Sequence, residues 1–510
     1  MLCWRMIHAT YCCALVRKIY TELNPELQPM SPDPLEYVDP GTAFSLAGAI
    51  YLVLAIWAGL HVVLHKRNEA AAFSWLGIIV LAPLVGATLY WLFGINRIRR
   101  RAQAELADHT SVATQRDEHL CVSQQALPIY WHDQMRYGAG VHDAPYLADN
   151  ALMPLLNGDE AYPQMLKAIE QAKNSVVLSS YIFEFDETGR QFVAALVTAH
   201  RRGVMVRVLI DGLGVGYGLS LVRADRVLRR QGVKTARFLS AFSSNGTRFI
   251  NLRNHRKILS VDGQVAFIGG MNIRDSNILS GSARHKTRDV HFKVKGPVIN
   301  QINQVFAADW EFASKEPLDL PAWYDDSETL PVACRVLLDG PDDNFQKLKL
   351  TILGAVQSAK KRICVVSPYF LPDASIISAL QLAVLRGVKV DICVPEYNNL
   401  LFVGWAMQAN QEQLLEVGVN LHELPPPFDH SKLFVVDDDW CLVGSSNWDA
   451  RSLELNFEIN LECYDQKFNS DVTAIIDKKL VDARKISQVP DRHFVLRVRN
   501  NFFRLFSPYL

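Results

Sequence analysis

Long uncharged runs near the start of the chain give way, after about residue 170, to short apolar runs of strand length. From Phe44 to Leu64 no residue carries a charge, and a helix of that length covers the roughly 30 Å hydrocarbon layer of a bilayer. A second uncharged run, Ala70 to Ile95, is interrupted by Pro83, which a membrane helix tolerates. The two runs, joined by His65-Lys66-Arg67-Asn68-Glu69, predict a transmembrane hairpin of two helices within residues 41–101. The alternative, a pair of buried helices in a soluble core, is disfavoured because neither run has a polar face. Arg97, Arg99, Arg100 and Arg101 outnumber Lys66 and Arg67, so the positive-inside rule puts the bulk of the chain in the cytoplasm.

The later pattern occurs twice. Ala168-Ile-Glu-Gln-Ala-Lys173 precedes the strand Ser175–Ser180, and Ala355-Val-Gln-Ser-Ala-Lys360 precedes Arg362–Ser367. Arg202-Gly-Val-Met-Val206 and Arg386-Gly-Val-Lys-Val390 then lead into further strands, so each half predicts an α/β domain. The first domain is expected over 151–320 and the second over 321–490, with the boundary in the acidic, proline-containing segment from Glu316 to Pro331.

Each half continues into a hairpin that carries the chemistry. Asn254 to Asn272 reads NHRKILSVDGQVAFIGGMN, and Asp429 to Asn447 reads DHSKLFVVDDDWCLVGSSN. The copies agree without a gap at His255/His430, Lys257/Lys432, Asp262/Asp437, Gly269/Gly444 and Asn272/Asn447. Residues two apart on a strand share a face, so the imidazole and ammonium of each copy project together. The aspartates lie an odd number of steps away at the strand end, and are expected to support the site without carrying protons. Along the returning strand, a missing side chain at glycine lets backbone approach a ligand, and an asparagine amide can donate to a phosphate oxygen.

Composition narrows the field. At 510 residues the chain is too long for one core. Lys+Arg and Asp+Glu both number 53, so nothing marks a general polyanion binder, which weighs against a nuclease. The cysteines form no CxxC pair and no zinc spacing; Cys364, Cys393, Cys441 and Cys463 are expected to be buried thiols in a reducing compartment.

Three segments stay outside this plan. Residues 1–40 are neither a clean signal peptide nor a helix, and Met30 is an alternative start that would make the preceding residues an over-extended reading frame. Residues 102–150 read as a polar linker and lead-in to the first domain. The segment 491–510 mixes Phe494, Phe502, Phe503 and Phe506 with Arg492, Arg497, Arg499 and Arg504. It fits an interfacial segment beside anionic lipid and equally a terminal helix packed on the globular domain.

HxKxxxxD followed by G(G/S)xN, twice in one chain, resembles the phospholipase D superfamily, whose HKD motif it matches. The N-terminal hairpin, the SPYFLP segment from Ser367 to Pro372, LVGSSNWDARSLELNFE from Leu442 to Glu458 and the final LFSPYL are similar to the bacterial cardiolipin synthases of that superfamily, over roughly residues 44–510. Trp448 and Ala450 depart from the family's pattern and touch no proposed catalytic group. The resemblance implies two phospholipase D-like α/β domains related by a pseudo-twofold duplication, which share one site and follow the membrane hairpin.

It also implies a catalytic set of His255, Lys257, Asp262, His430, Lys432 and Asp437, with Asn272 and Asn447 holding phosphate oxygens. Asp289 and Glu458, beyond the two motifs, would hydrogen-bond the motif histidines and fix their tautomers. Two imidazoles and two ammonium groups suit phosphodiester transfer without metal or cofactor. One histidine would form a phosphohistidine and the other would act as acid and base. The residues permit either assignment, and the resemblance assigns His255 as nucleophile and His430 as acid/base. The implied reaction moves a phosphatidyl group from one phosphatidylglycerol to another, releasing glycerol, at the bacterial plasma membrane. Its partners are membrane phospholipids, not nucleic acid. A hydrolase using water, a transferase with another donor such as phosphatidylethanolamine or another acceptor, and a catalytically silent membrane scaffold are the rival expectations.

Overall fold

In the computed structural model the described residues are 40–66, 69–91, 129–214, 222–239, 252–323, 331–341, 344–488 and 493–507. The N-terminal tail, the arginines after the second apolar run and most of the expected linker lie outside them. Residues 1–96 and 97–510 form two compact units.

The first unit comprises α1 (Pro40–His65), α2 (Glu69–Leu81) and α3 (Pro83–Leu89). The second apolar run is thus not the single helix expected from its hydropathy. Proline lacks an N–H and pushes the preceding residue out of the helical region; Ala82 adopts φ −140° and ψ 74°. The chain then turns back sharply, so that a Cβ on Gly86 would lie 2.6 Å from the Cα of Ile79. Ala58, Val62, Ile79, Ala87 and Tyr90 are buried together, and His61 Nδ1 meets the Tyr90 hydroxyl at 2.8 Å. On the outside of α1, Leu52, Val53, Ile56, Leu60, Val63 and Leu64 are exposed. Among the described residues no helix is long and apolar enough to cross a membrane.

The second unit is built on one sheet of 15 strands. After α4 (His132–Val141), the first half runs β1 (Leu147–Leu156), α5 (Asn157–Gln171), β2 (Ser175–Ser180), α6 (Glu187–Arg201) and β3 (Met205–Asp211). It continues with α7 (Ala224–Arg230), β4 (Lys234–Phe238), β5 (Ile258–Val261), β6 (Val265–Gly269), β7 (Thr287–Arg288), β8 (Val290–Lys295) and α8 (Val298–Ser314). The second half runs β9 (Val332–Asp339), α9 (Lys347–Ser358), β10 (Arg362–Val366), α10 (Ala374–Leu385), β11 (Lys389–Pro395) and α11 (Leu401–Glu416). Then follow β12 (Asn420–Leu424), β13 (Phe428–Asp429), β14 (Leu433–Val436), β15 (Trp440–Gly444), α12 (Ala450–Glu454) and β16 (Glu458–Tyr464). Helix α13 (Gln466–Asp482), β17 (Arg484–Ile486) and α14 (Phe494–Arg504) end the described chain.

The duplication is visible in the strand order. From the centre outward one side reads β1-β8-β6-β5-β2-β3-β4 and the other β9-β16-β15-β14-β10-β11-β12, with β17 added at the edge. Strands β1 and β9 pair antiparallel at Leu147/Cys334 and Asn150/Val332, which makes two sheets continuous. The buried faces of β8 and β16 meet α8 and α13 in one core that contains Phe292, Ile299, Ile459, Phe468 and Val472 from both halves. Cys364, Cys393, Cys441 and Cys463 are buried and unpaired in these strands, as their apolar surroundings predict.

One departure concerns the expected linker. Residues 129–141 form a helical segment that packs on the second half, not the first. Trp131 is buried, its indole N–H donates to Asp439 at 2.6 Å, and its ring meets those of Trp440 and Tyr464. Trp131, Met135 and Gly138 recur at helical spacing, and Arg335 Nη1 donates to the Gly138 carbonyl at 3.2 Å. That short stripe marks a face to be buried but does not say which half buries it.

Candidate active site

Strands β5 and β6 pair as an antiparallel hairpin with Ile258 opposite Ile268, and β14 and β15 pair with Leu433 opposite Val443. Each motif's histidine and lysine sit just ahead of the first strand, in extended chain that crosses to the other half. Asn254 bridges in parallel to Phe457, and the His255 N–H donates to the Phe457 carbonyl at 2.9 Å. In the equivalent arrangement of the second motif β13 pairs in parallel with β7, and the His430 N–H donates to Arg288 O at 2.7 Å. Each histidine is therefore delivered beside the residue that follows in the opposite half.

Those residues are the two carboxylates. His255 Nδ1 lies 3.0 Å from both oxygens of Glu458, and His430 Nδ1 lies 2.9 Å from Asp289 Oδ2. The acids are exchanged: the first half's acid holds the second half's histidine, and the reverse. A carboxylate on Nδ1 holds the ring proton there and leaves the Nε2 lone pair for chemistry. Lys257 Nζ and Lys432 Nζ each donate to the carbonyl of their own histidine at 2.6 Å, and Lys432 Nζ is 3.1 Å from His430 Nδ1. All six side chains are buried.

Burial and crowding of positive charge set the protonation states. Desolvation drives His255 down to about 4, partly opposed by Glu458, and drives His430 well down with Lys432 and Lys257 adding to the effect. Each half's lysine thus acts on the other half's histidine, as in one shared site. Burial also lowers Lys257 and takes Lys432 to about 8. The two acids differ. Burial lifts Asp289 to about 7, with the Asp429 charge adding to the rise, whereas His255 and Lys257 outweigh burial and hold Glu458 below the usual carboxylate range. Near neutrality both rings are neutral, Glu458 is ionised and Asp289 is close to half protonated.

This arrangement fixes a pH response. Lys432 is charged below about 8 and loses its proton above it, so kcat/KM is expected to fall as pH rises through about 8. On the acid side His255 stays neutral down to about 4, and the first group to change is Asp289, which takes up a proton near pH 7. A kcat/KM profile that stays flat to pH 10 would rule out a charged lysine in the rate-limiting step.

Asp262 and Asp437 do not reach this centre, which corrects their inclusion in the catalytic set. Asp262 accepts backbone N–H groups of Lys173, Asn174 and Ser175 at 2.8, 2.7 and 2.7 Å. Asp437 does the same for Lys360, Lys361 and Arg362 at 2.8, 2.7 and 2.9 Å. They tie the hairpin turn to the start of the neighbouring strand, at the opposite end from the histidines. Both have left-handed φ, 55° and 54°, which asparagine tolerates. Asp262→Asn is therefore expected to cost about 1–2 kcal/mol in denaturant unfolding and to leave kcat/KM within about twofold.

The motif glycines also serve the protein more than a ligand. A Cβ at Gly269 would meet His291 Nδ1 at 2.6 Å, and one at Gly444 would meet the Ile459 carbonyl at 2.4 Å, so these glycines admit the next strand. One at Gly270 would lie 2.5 Å from Asp289 Oδ1; the matching residue, Ser445, donates its hydroxyl to Glu458 at 2.5 Å. Asn272 Oδ1 accepts the Ile182 N–H at 3.0 Å, and Asn447 Nδ2 meets Ser452 Oγ at 3.1 Å with Oδ1 left buried and without a partner. Two tyrosines were not foreseen. The Tyr181 ring is 5.1 Å from that of His255, with Lys257 Nζ 5.4 Å above it, and the Tyr369 ring is 6.2 Å from that of His430. Their signal is position: Tyr181 follows Ser180, and Tyr369 lies two residues after Ser367, each just past the carboxyl end of an inner strand, where open α/β sheets bind ligands.

Two halves with the same strand plan, each contributing a histidine and a lysine to one centre and each holding the other's imidazole, define the phospholipase D-like class. Residues 165–310 and 352–480 match the family described as "Cardiolipin synthase, PLD-like domain", and residues 53–94 match "Phospholipase_D-nuclease N-terminal". The chain belongs to the cardiolipin synthase family of phospholipase D-like proteins. It is 31% identical to the cardiolipin synthase of Geobacillus kaustophilus, over 92% of this chain and 95% of that one. With cardiolipin synthase A of Pseudomonas putida it shares 32%, over 93% and 100%. The fold is also that of the phosphatidylserine synthase of Haemophilus influenzae, with a TM-score of 0.59 at 14% identity, covering 74% of this chain and 100% of that chain.

Proposed function

We propose that the protein is a phosphatidyltransferase that joins two phosphatidylglycerols into cardiolipin and releases glycerol. The observation that carries this reading is the exchanged pair of buried histidine–carboxylate contacts, His255 with Glu458 and His430 with Asp289, between two lysines. His255, backed by the ionised Glu458, attacks phosphorus through Nε2, and the P–O bond to the first glycerol breaks as His430 supplies its proton. His430 is neutral in the empty site because burial, with Lys432 and Lys257 adding to it, disfavours its charge. A phosphodiester anion between the lysines offsets them and raises the ring's proton affinity. In the second step His430 takes the proton from the incoming hydroxyl as its oxygen displaces His255. Lys257, Lys432, Asn272 and Asn447 hold the equatorial oxygens. With the Asn447 amide turned over, Oδ1 accepts from Ser452 and Nδ2 becomes the orphan donor, which suits an anion.

The N-terminal hairpin is the membrane anchor in this reading, placing the enzyme in the bacterial plasma membrane with its catalytic domains in the cytoplasm. What supports insertion is the uncharged run from Phe44 to Leu64 and the exposed leucines, valines and isoleucine of α1. The test is to supply labelled phosphatidylglycerol to the reconstituted protein and separate the products. Cardiolipin with an equal amount of glycerol is expected. Phosphatidic acid alone would mean that water is the acceptor, and a product formed only with added phosphatidylethanolamine would change the donor.

A further inference from the structure

Helix α14 presents an apolar face that the described residues leave uncovered. At 3.6 residues per turn, Phe494, Val495, Val498, Phe502, Leu505 and Phe506 fall within an arc of about 120°. All six are exposed, Phe494 to 79% and Leu505 to 71%. The opposite side holds the helix on α11: Asn500 is buried and its Nδ2 donates to Gln408 Oε1 at 3.1 Å, while the Phe503 ring lies 5.0 Å from that of Trp405. The Arg499 guanidinium stacks 4.3 Å from the Trp405 ring. The helix is thus docked by its polar and mixed side and turns its greasiest side outward, the reverse of a core helix.

Charge identifies what covers that face. Arg497 and Arg504 border the apolar arc on one edge and Arg499 on the other, and residues 493–507 contain no Asp or Glu. An apolar stripe edged by arginines, on a helix already anchored along its other side, fits the plane of an anionic bilayer: the aromatics enter the acyl boundary while the guanidinium groups meet phosphates. A second copy of the chain fits worse, because antiparallel α14 helices would bring arginine edges together without an acid on either to pair with them. We propose that α14 is an in-plane membrane helix that seats the second half on anionic lipid, whichever acceptor the active site uses.

The test uses the full chain with a dansyl amino acid replacing Phe502, reconstituted in vesicles of phosphatidylglycerol or of phosphatidylcholine that contain acyl-chain-brominated lipid. Strong quenching in phosphatidylglycerol is expected, and Arg497→Gln with Arg504→Gln should weaken it about fivefold for each arginine lost. Equal quenching in phosphatidylcholine would overturn the charge argument. Blue-shifted emission without quenching would mean that protein covers the face, and water-like emission in both vesicles would mean that nothing does. Circular dichroism of each variant, compared with the parent, separates these readings from unfolding.

Discussion

His255→Ala and His430→Ala should each lower turnover about 10⁴-fold, and the double variant should be scarcely worse than either single one. Both imidazoles are buried in one centre and each is held by the other half, so neither half retains a working site. Two independent half-sites would instead leave substantial activity after either change. The roles are separable with a phosphatidyl donor whose leaving group is a good one, such as a nitrophenolate, which departs without a proton. With that donor His430→Ala should still release a burst of nitrophenol and retain phosphatidyl on His255, because only deprotonation of the acceptor is impaired. His255→Ala should give no burst. A burst from His255→Ala and none from His430→Ala would reverse the assignment.

What the sequence made legible was local. The hairpins follow from β-branched apolar runs closed by turn residues, and the doubled motif requires two halves with the same strand plan. The break at Ala82 escaped hydropathy, which averages over Pro83 and treats it as another tolerated residue. Placement of Trp131 on the second half depended on contacts with Trp440 and Tyr464, some three hundred residues away, which no local pattern encodes. The role of Asp262 was half legible: its odd spacing from His255 argued against a proton carrier, but its three backbone partners belong to the next strand's start. The terminal helix supported two readings because one side packs on α11 while its apolar arc stays exposed. The exchange of acids was beyond sequence altogether. Asp289 and Glu458 each follow their own motif at similar distance, and only the parallel pairings of β13 with β7 and of Asn254 with Phe457 decide which ring each one meets.

That exchange makes the two carboxylates the next most sensitive positions, and unequal ones. In Glu458→Gln the amide NH2 would donate to His255 Nδ1, drive the ring proton to Nε2 and remove the lone pair that attacks phosphorus. A loss of about 10³–10⁴ in kcat is expected, with little change in KM. Asp289→Asn does the same to His430, but Asp289 takes up a proton near pH 7 where Glu458 remains ionised. Below pH 7 the native Asp289 is already largely neutral and resembles the amide; above it the native carboxylate is charged and the amide is not. The defect of Asp289→Asn should therefore be smaller at pH 6 than at pH 8, while that of Glu458→Gln should be the same at both. Rates at the two pH values, each relative to the parent at that pH, measure this directly. An equal deficit for both variants across the range would mean that the burial raising Asp289 and the His255 and Lys257 contacts lowering Glu458 do not distinguish the two halves, and that the asymmetry between the histidines comes from the substrate alone.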